Sequence, residues 1–301
     1  MFRRSLLIST AFASGMAGAA YASDPLGSLP QMGAPAVDGV NLKADFFLGA
    51  IRERTLLGSS SGAIGGASAS FTMPVGHSFG LQLDGVVAGR DGDPKIGGAA
   101  HLFWRRPDQG LFGLYGSAKG FEGGDASRLR GGLEGEFYAG RFTLSGVAGY
   151  ERTNAPSVTV GAIPGFNIVD LGGRSRVFAM TDASYYAHDN WKLSAGYRYI
   201  SGVHVGALGT EYMFQSQGGA AYSVFLEGRV GENRYAAAWG GLRVYIGASD
   251  KSLLRRHRED DPRNWLTEDV YAPRGVDQGR VATKYSAIKL PCGCGPFLCD
   301  P

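Results

Sequence analysis

The sequence predicts an all-β fold: a single antiparallel transmembrane β-barrel of about twelve strands, with an export leader before it and a largely irregular tail after it. Three observations predict it. The chain opens on a short leader, its hydrophobic period is two from about Leu42 to Ile246, and short connections alternate with the remaining links.

In the leader, Arg3 and Arg4 precede an apolar run from Leu6 to Phe12, and Ala20-Tyr21-Ala22 has the small-x-small form read by a signal peptidase. The run is shorter than the roughly 20 residues a membrane helix needs. Residues 1–22 are therefore expected to be a signal peptide cut after Ala22, and residues 23–41, with several Gly and Pro, a flexible periplasmic lead. Later apolar runs are broken by charges or glycine pairs, which leaves a soluble envelope protein or a barrel.

Glycine makes up 48 of 301 residues, about twice the usual share of roughly 7%. It follows no triplet period, which excludes collagen, and its spread through strand-like segments fits tightly curved sheets. The formal charge of +3 comes from interleaved basic and acidic residues, so no footprint for nucleic acid is expected. All three cysteines lie in the last ten residues. A core without thiols suits an oxidising compartment.

The alternation is clearest from Arg128 to Tyr138. Leu129, Gly131, Leu133, Gly135 and Phe137 fall on one face, and Arg128, Arg130, Glu134 and Glu136 on the other. A strand with one wet and one apolar face reads this way, whereas a helix would scatter the charges. Phe142 to Glu151 repeats the pattern across a tight hairpin at Gly140. Ile96 to Arg105, Trp191 to Tyr199 and Ala236 to Ile246 follow it too.

Such segments run to roughly ten to fourteen residues, nearer the 9–11 of a tilted membrane strand than the five or six of soluble sheets. Tyr115, Phe137, Tyr150, Trp191, Tyr199 and Tyr235 stand at or near strand ends, as an aromatic girdle requires. The connections at Val75–His77, Pro107–Gln109, His188–Asp189 and Gln217–Gly218 are short, and Arg152 to Gly173 is by far the longest. With an even strand count and both barrel ends in the periplasm, these short links are all periplasmic and the long one faces outward. The barrel is thus expected over residues 42–248. Beyond it, residues 249–301 form a periplasmic tail that looks mostly disordered, with one short amphipathic helix within Lys251–Asp261 ending before Pro262.

His101-Leu-Phe-Trp-Arg105, Gly110 to Ser117, Gly135 to Glu151 (GEFYAGRFTLSGVAGYE), Glu227 to Glu232, Trp239 to Tyr245 and Arg256 to Trp265 resemble blocks of a family of outer-membrane β-barrel proteins from rhizobia-like alphaproteobacteria. The resemblance covers roughly residues 95 to 265. It implies a location and an architecture, and no activity or functional residue comes with it. The Arg152–Gly173 link is shorter than the corresponding loop of that family.

The polar strand faces point into the expected lumen and supply the candidate site: Arg128, Arg130, Glu134, Glu136, Lys192, Arg198, Glu227, Arg229 and Arg243. Such groups either pair across the interior and fill it or line a narrow water-filled path with a weak anion preference. The first functional expectation is a non-enzymatic outer-membrane protein, a narrow porin-like channel with a charged lumen. The second is a closed structural or adhesive barrel acting through its outer loops or tail. A lipid-modifying hydrolase is the third, resting on His204 near Ser201, although ordinary surface histidines explain the five histidines equally well.

Cys292, Cys294 and Cys299 lack a fourth ligand and a nearby histidine, so zinc is not expected. A disulfide between Cys299 and one of the other two is favoured, because Cys292 with Cys294 would close a strained ring. The glycine-rich run Gly58 to Gly66 lacks a phosphate-loop pattern and reads as an outer loop. No cofactor is expected. The expected partners are outer-membrane lipid and, through the basic stretch Arg255–Arg258, peptidoglycan or another periplasmic component.

Overall fold

Alternating polarity gives each strand two chemically different faces, and a ladder of such strands hides its backbone polar groups completely only when it closes on itself. The chain does this with twelve antiparallel strands: β1 (Asn41–Thr55), β2 (Gly58–Val75), β3 (Phe79–Arg90), β4 (Asp93–Arg106), β5 (Gly110–Phe121), β6 (Ser127–Ala139), β7 (Phe142–Asn154), β8 (Arg174–His188), β9 (Trp191–Ile200), β10 (Val203–Gln217), β11 (Ala220–Gly231) and β12 (Ala236–Ile246). Each pairs with its sequence neighbours, and β1 pairs with β12 from Leu42↔Ile246 to Arg52↔Ala236, which closes the barrel. The computed structural model describes residues 33–55, 58–91, 93–121, 127–154, 174–217, 219–247 and 251–273. The expected signal peptide, most of the Arg152–Gly173 link and all three cysteines lie outside these residues.

The outward face is apolar around the whole wall. Leu48 is 76% exposed, Leu208 67% and Val230 71%, and Val87, Ile96, Leu114 and Phe142 are likewise exposed. A belt of this extent around a closed ladder belongs in hydrocarbon, which makes the molecule a transmembrane barrel of the outer-membrane type. Phe137, Tyr150 and Trp191 stand on this face as a girdle requires. Tyr115 and Tyr235 do not: both are buried in the interior, so the girdle assignment is corrected for these two.

Inward glycines explain much of the glycine content. A Cβ on Gly241 would come within 1.8 Å of the Phe46 carbonyl oxygen, and one on Gly49 within 2.1 Å of that of Ala238. On the outward face, a Cβ on Gly85 or Gly131 would meet nothing within 4 Å. Curling a sheet crowds its concave side, and glycine removes the crowding there. The same need for small residues corrects the reading of Gly58–Gly66. This run is not a loop but the start of β2, paired with β1 from Gly58↔Thr55 onward and with β3 from Ile64↔Arg90.

The barrel has a near mouth, holding the start of β1 and the end of β12, and a far mouth. The connections at 76–78, 107–109, 140–141, 189–190 and 218–219 lie at the near mouth. The strand ends joined by residues 155–173 lie at the far mouth, beside the short connections at 201–202 and 232–235.

Two segments outside the strands pack against the barrel. Residues 33–40 lie along the near mouth: the Ala36 amide donates to the His77 carbonyl at 2.8 Å, and Val37 packs with Phe103 and Leu111. Residues 251–273 form helix α1 (Leu253–Glu259), where the short helix was expected, and a second helix, α2 (Leu266–Val270), which was not. Ser252 caps α1, and Arg256 and Arg258 in its last turn suit the negative end of the helix dipole. Charge and proline here do not signal disorder, because the barrel interior supplies the partners that the segment itself lacks.

Candidate functional site

The inward residues of the wall divide by depth. Nearer the near mouth they are charged or polar: Lys43 and Asp45 on β1, Lys192 on β9, Glu211 on β10 and Arg243 on β12. Deeper in, charged groups share the wall with apolar ones, of which Phe47, Ile51, Ile64, Val86, Phe178, Met180, Phe225 and Trp239 form one cluster. An apolar lumen wall needs something apolar to cover it. Trp265, Leu266 and Tyr271 of the C-terminal segment are buried members of the same cluster.

The segment's contacts step along the barrel axis. Helix α1 lies across the near mouth, where the Leu254 amide donates to the Asp189 carbonyl and Arg258 donates to the carbonyls of Gly140 and Phe142. The Asp38 amide donates to the Glu259 carbonyl. Lys251 pairs with Asp260 at 2.6 Å and with Asp38 at 3.0 Å. The chain then turns inward. Lys43 Nζ donates to the Pro262 carbonyl, Asn264 donates to Ser70 Oγ at 3.2 Å, and Leu266 reaches Val86 and Gly97. At the far side, Tyr235 Oη, in the β11–β12 connection, donates to the Tyr271 carbonyl at 2.7 Å. Tyr271 also packs edge-on against Phe47 with ring centroids 5.9 Å apart.

Charge fixes the segment's register. Glu268 accepts from Arg198 Nε and Nη2 at 3.0 and 2.8 Å, and from Arg229 Nε at 3.0 Å. Arg263 pairs with Asp182 at 2.6 Å and reaches Glu268 at 3.3 Å and Glu227 at 3.7 Å. Three arginines and three carboxylates thus form a balanced cluster, with Arg263 and Glu268 from the segment and the other four groups from the wall. Arg198 and Arg263 also lie over the Trp265 ring, at 5.5 and 4.8 Å. Burial of such charges is tolerable because each is paired and hydrogen-bonded.

A second cluster sits against α1. Arg243 pairs with Asp45 at 2.7 Å and Glu211 at 2.6 Å, and Lys192 with Glu211 at 3.3 Å. Tyr245 Oη donates to Glu211 at 2.6 Å and so can only accept from His257 Nε2 at 2.9 Å. That leaves His257 Nδ1 to accept from Tyr186 Oη at 2.8 Å, which selects a neutral tautomer. Burial, with Lys192 and Arg243 nearby, holds His257 well below its usual value. Between this cluster and the segment lies a cavity of about 80 Å³, lined by Lys43, Asp45, Lys192, Glu227, Arg243 and Arg263 among others.

All nine sequence-nominated residues stand on the inward face. Arg198, Glu227 and Arg229 meet the segment in the Glu268 cluster, and Lys192 and Arg243 belong to the His257 cluster. Arg130 pairs with Glu151 at 2.8 Å, and Arg128 Nε reaches Thr153 at 3.3 Å, both near the far mouth. Glu136 accepts from Tyr138 at 2.6 Å, and Glu134 accepts from His101 Nδ1 at 2.7 Å. His101 also bonds Asp84 at 2.9 Å and is fully buried.

Sequence reasoning missed Arg263, Trp265, Leu266 and Glu268 as lumen residues. Runs such as Phe46–Leu48 and Val86–Ala88, apolar on both faces of a strand, carried the signal. The basic stretch Arg255–Arg258 is used internally: Arg256 is buried, Arg258 holds the β6–β7 turn, and Arg255 pairs with Glu259 at 2.9 Å. His204, named for hydrolysis, bonds Tyr197 Oη through Nδ1 at 2.5 Å on the outer surface, while Ser201 Oγ is buried and has no hydrogen-bond partner among the described residues.

No family model matches the chain, and no curated protein matches it. Among solved structures, it is similar to the translocator domain of the autotransporter NalP from Neisseria meningitidis, with 12% identity over 70% of this chain and 88% of that one and a TM-score of 0.48. An outer membrane channel from Pseudomonas putida F1 shows 9% identity over 73% of this chain and 99% of that one, with a TM-score of 0.47. The KdgM porin shows 8% identity, coverage of 66% and 97%, and a TM-score of 0.41. The likeness is one of fold. On its own geometry, the chain is a transmembrane barrel whose lumen is occupied by its own C-terminal segment.

Proposed function

We propose that this is an exported, non-enzymatic outer-membrane barrel kept closed by residues 251–273, with its lumen charges serving to hold that seal. The near mouth then faces the periplasm, and the seal enters from that side. The single observation that carries the reading is the Glu268 cluster, in which Arg198 and Arg229 of the wall both donate to a carboxylate of the segment that stands where a water-filled path would run. The cavity beside the segment supports a second reading, a narrow channel that conducts once the seal shifts. Nothing in the geometry favours hydrolysis, since Ser201 and His204 face opposite sides of the wall.

Single-channel conductance of the full chain without its leader tests the proposal, using protein with the heat-dependent gel mobility of a folded barrel. The full chain is expected to be silent, and a chain ending at Ala248 to give stable steps. Stable steps from the full chain, unchanged by Glu268→Ala, would sink the seal and restore the open channel. Steps that appear in the full chain only with Glu268→Ala would favour the gated reading.

A further inference from the structure

The two rims of the barrel treat their exposed arginines differently. At the near mouth each exposed arginine has an acidic partner: Arg106 with Asp108 at 3.6 Å, Arg141 with Asp189 at 2.8 Å and Arg255 with Glu259 at 2.9 Å. At the far mouth Arg52, Arg54, Arg152 and Arg234 are all exposed, and none has a carboxylate partner among the described residues.

Three of these four stand together. Arg52 and Arg54 are on the outward face of β1, because inward positions there are odd-numbered (Lys43, Asp45, Phe47, Ile51, Glu53). Arg234 sits in the β11–β12 connection, and the Arg54 amide donates to the carbonyl of neighbouring Asn233 at 2.8 Å. Nearby acids are turned elsewhere: Glu232 accepts from the His204 amide, and Asp91 accepts from the Ala63 amide.

Their height places them at a lipid boundary. Leu48 and Ala50 precede Arg52 on the same lipid-facing side, and Val230 and Ala236 flank Arg52 on β11 and β12. At roughly 3.3 Å per residue and a tilt near 40°, Arg52 stands about 10 Å beyond Leu48, at the edge of the apolar belt. An arginine in hydrocarbon is costly, but at the interface it extends its guanidinium toward headgroups. Beside it on β2, Ser59 and Ser61 are small and leave room for a headgroup. A cluster of forked donors with a net positive charge and no internal counter-ion matches phosphate.

We infer that Arg52, Arg54 and Arg234 form an exterior site for the phosphate groups of lipid in the leaflet at the far mouth. The inference rests on the membrane-spanning reading of the barrel and is independent of whether the lumen is sealed.

The test is native mass spectrometry of the full folded chain, released from detergent after incubation with bis-phosphorylated lipid A or with its dephosphorylated form. The wild type is expected to retain the phosphorylated lipid, and Arg52→Gln/Arg54→Gln/Arg234→Gln to lower its occupancy about tenfold, as loss of several charge-assisted contacts should. Arg106→Gln/Arg141→Gln at the opposite rim is expected to leave occupancy unchanged. Heat-dependent gel mobility checks that each variant is folded, and conductance reports separately on the seal. Equal retention of both lipid forms, an unaltered triple variant, or an equal loss in the near-rim variant would overturn the inference.

Discussion

The lumen grips its C-terminal segment with two unlike walls. On the side of β8, β9 and β11 the contact is ionic, through Asp182, Arg198, Glu227 and Arg229. Toward β3 and β4 it is apolar, through Leu266 against Val86 and the open face of Gly97. Apolar contact supplies affinity without direction, whereas paired charges tolerate only one register. A short helix so held needs little intrinsic helicity, and α2 has only five residues.

Damage to the ionic wall is expected to have the largest effect. Glu268→Ala leaves three arginines, Arg198, Arg229 and Arg263, against two carboxylates, Asp182 and Glu227, in a buried site, at a cost of roughly 3–5 kcal/mol to docking. Its readout is the open probability of single channels, and a silent variant would mean that the seal does not depend on this cluster. On the apolar wall, Leu266→Ala is expected to cost about 2–5 kcal/mol, toward the low end because a helix near an open cavity can settle. If both variants open the channel equally, the two walls share the work.

At the near mouth, pH sharpens the contrast. Burial raises Asp260 from 3.8 to about 6, against the pull of Lys251, so the docked segment keeps a proton that the released one has lost. Docking through Asp260 is therefore strongest below about pH 4 and weakens as pH rises toward 6. His257 acts in the opposite sense: it is neutral when docked, and its released form gains a proton below about 6.5, so acid weakens docking. The two limbs offset each other between about pH 4 and 6. Asp260→Asn should leave docking that weakens as pH falls through 6.5, and His257→Gln docking that weakens as pH rises from 4 to 6. Each is read from open probability against pH in the Leu266→Ala background, where the seal is already loosened. Identical pH profiles for the two variants would refute this assignment. The smallest change is expected from Arg255→Ala, which removes an exposed pair four residues apart on α1, worth about 0.3–0.5 kcal/mol; thermal melting of the folded barrel should barely register it.

The wall was legible from the sequence because lipid and lumen impose opposite chemistry on alternate residues. Arg128 to Tyr138 shows this directly, and the parity of the turns gives an even strand count. What fills the lumen was not legible. Residues 251–273 look like a solvated tail because their charges have partners only across the barrel, more than thirty residues away for Glu268, whose contacts Arg198 and Arg229 lie at sequence separations of 70 and 39. Trp265, Leu266 and Tyr271 follow neither a strand nor a helix period. Val86 beside Val87 breaks the alternation because the inward face there meets the apolar part of the segment rather than water. For Tyr115, parity along the strand rather than height decides the side, and it turns the ring inward; Tyr235, in the β11–β12 connection, is turned inward by its bond to Tyr271.

Closure of the ladder between β1 and β12 has a mechanical consequence. Each strand is hydrogen-bonded on both sides, so a protease that cuts one far-mouth connection creates no loose edge. A nick within 155–173 would divide the chain into fragments that remain laced through β7–β8 at one seam and β1–β12 at the other. The seal spans that divide as well, because Arg258 of the second fragment holds the turn after β6 in the first. Two separately made halves, split at this connection, should therefore find each other and rebuild one wall.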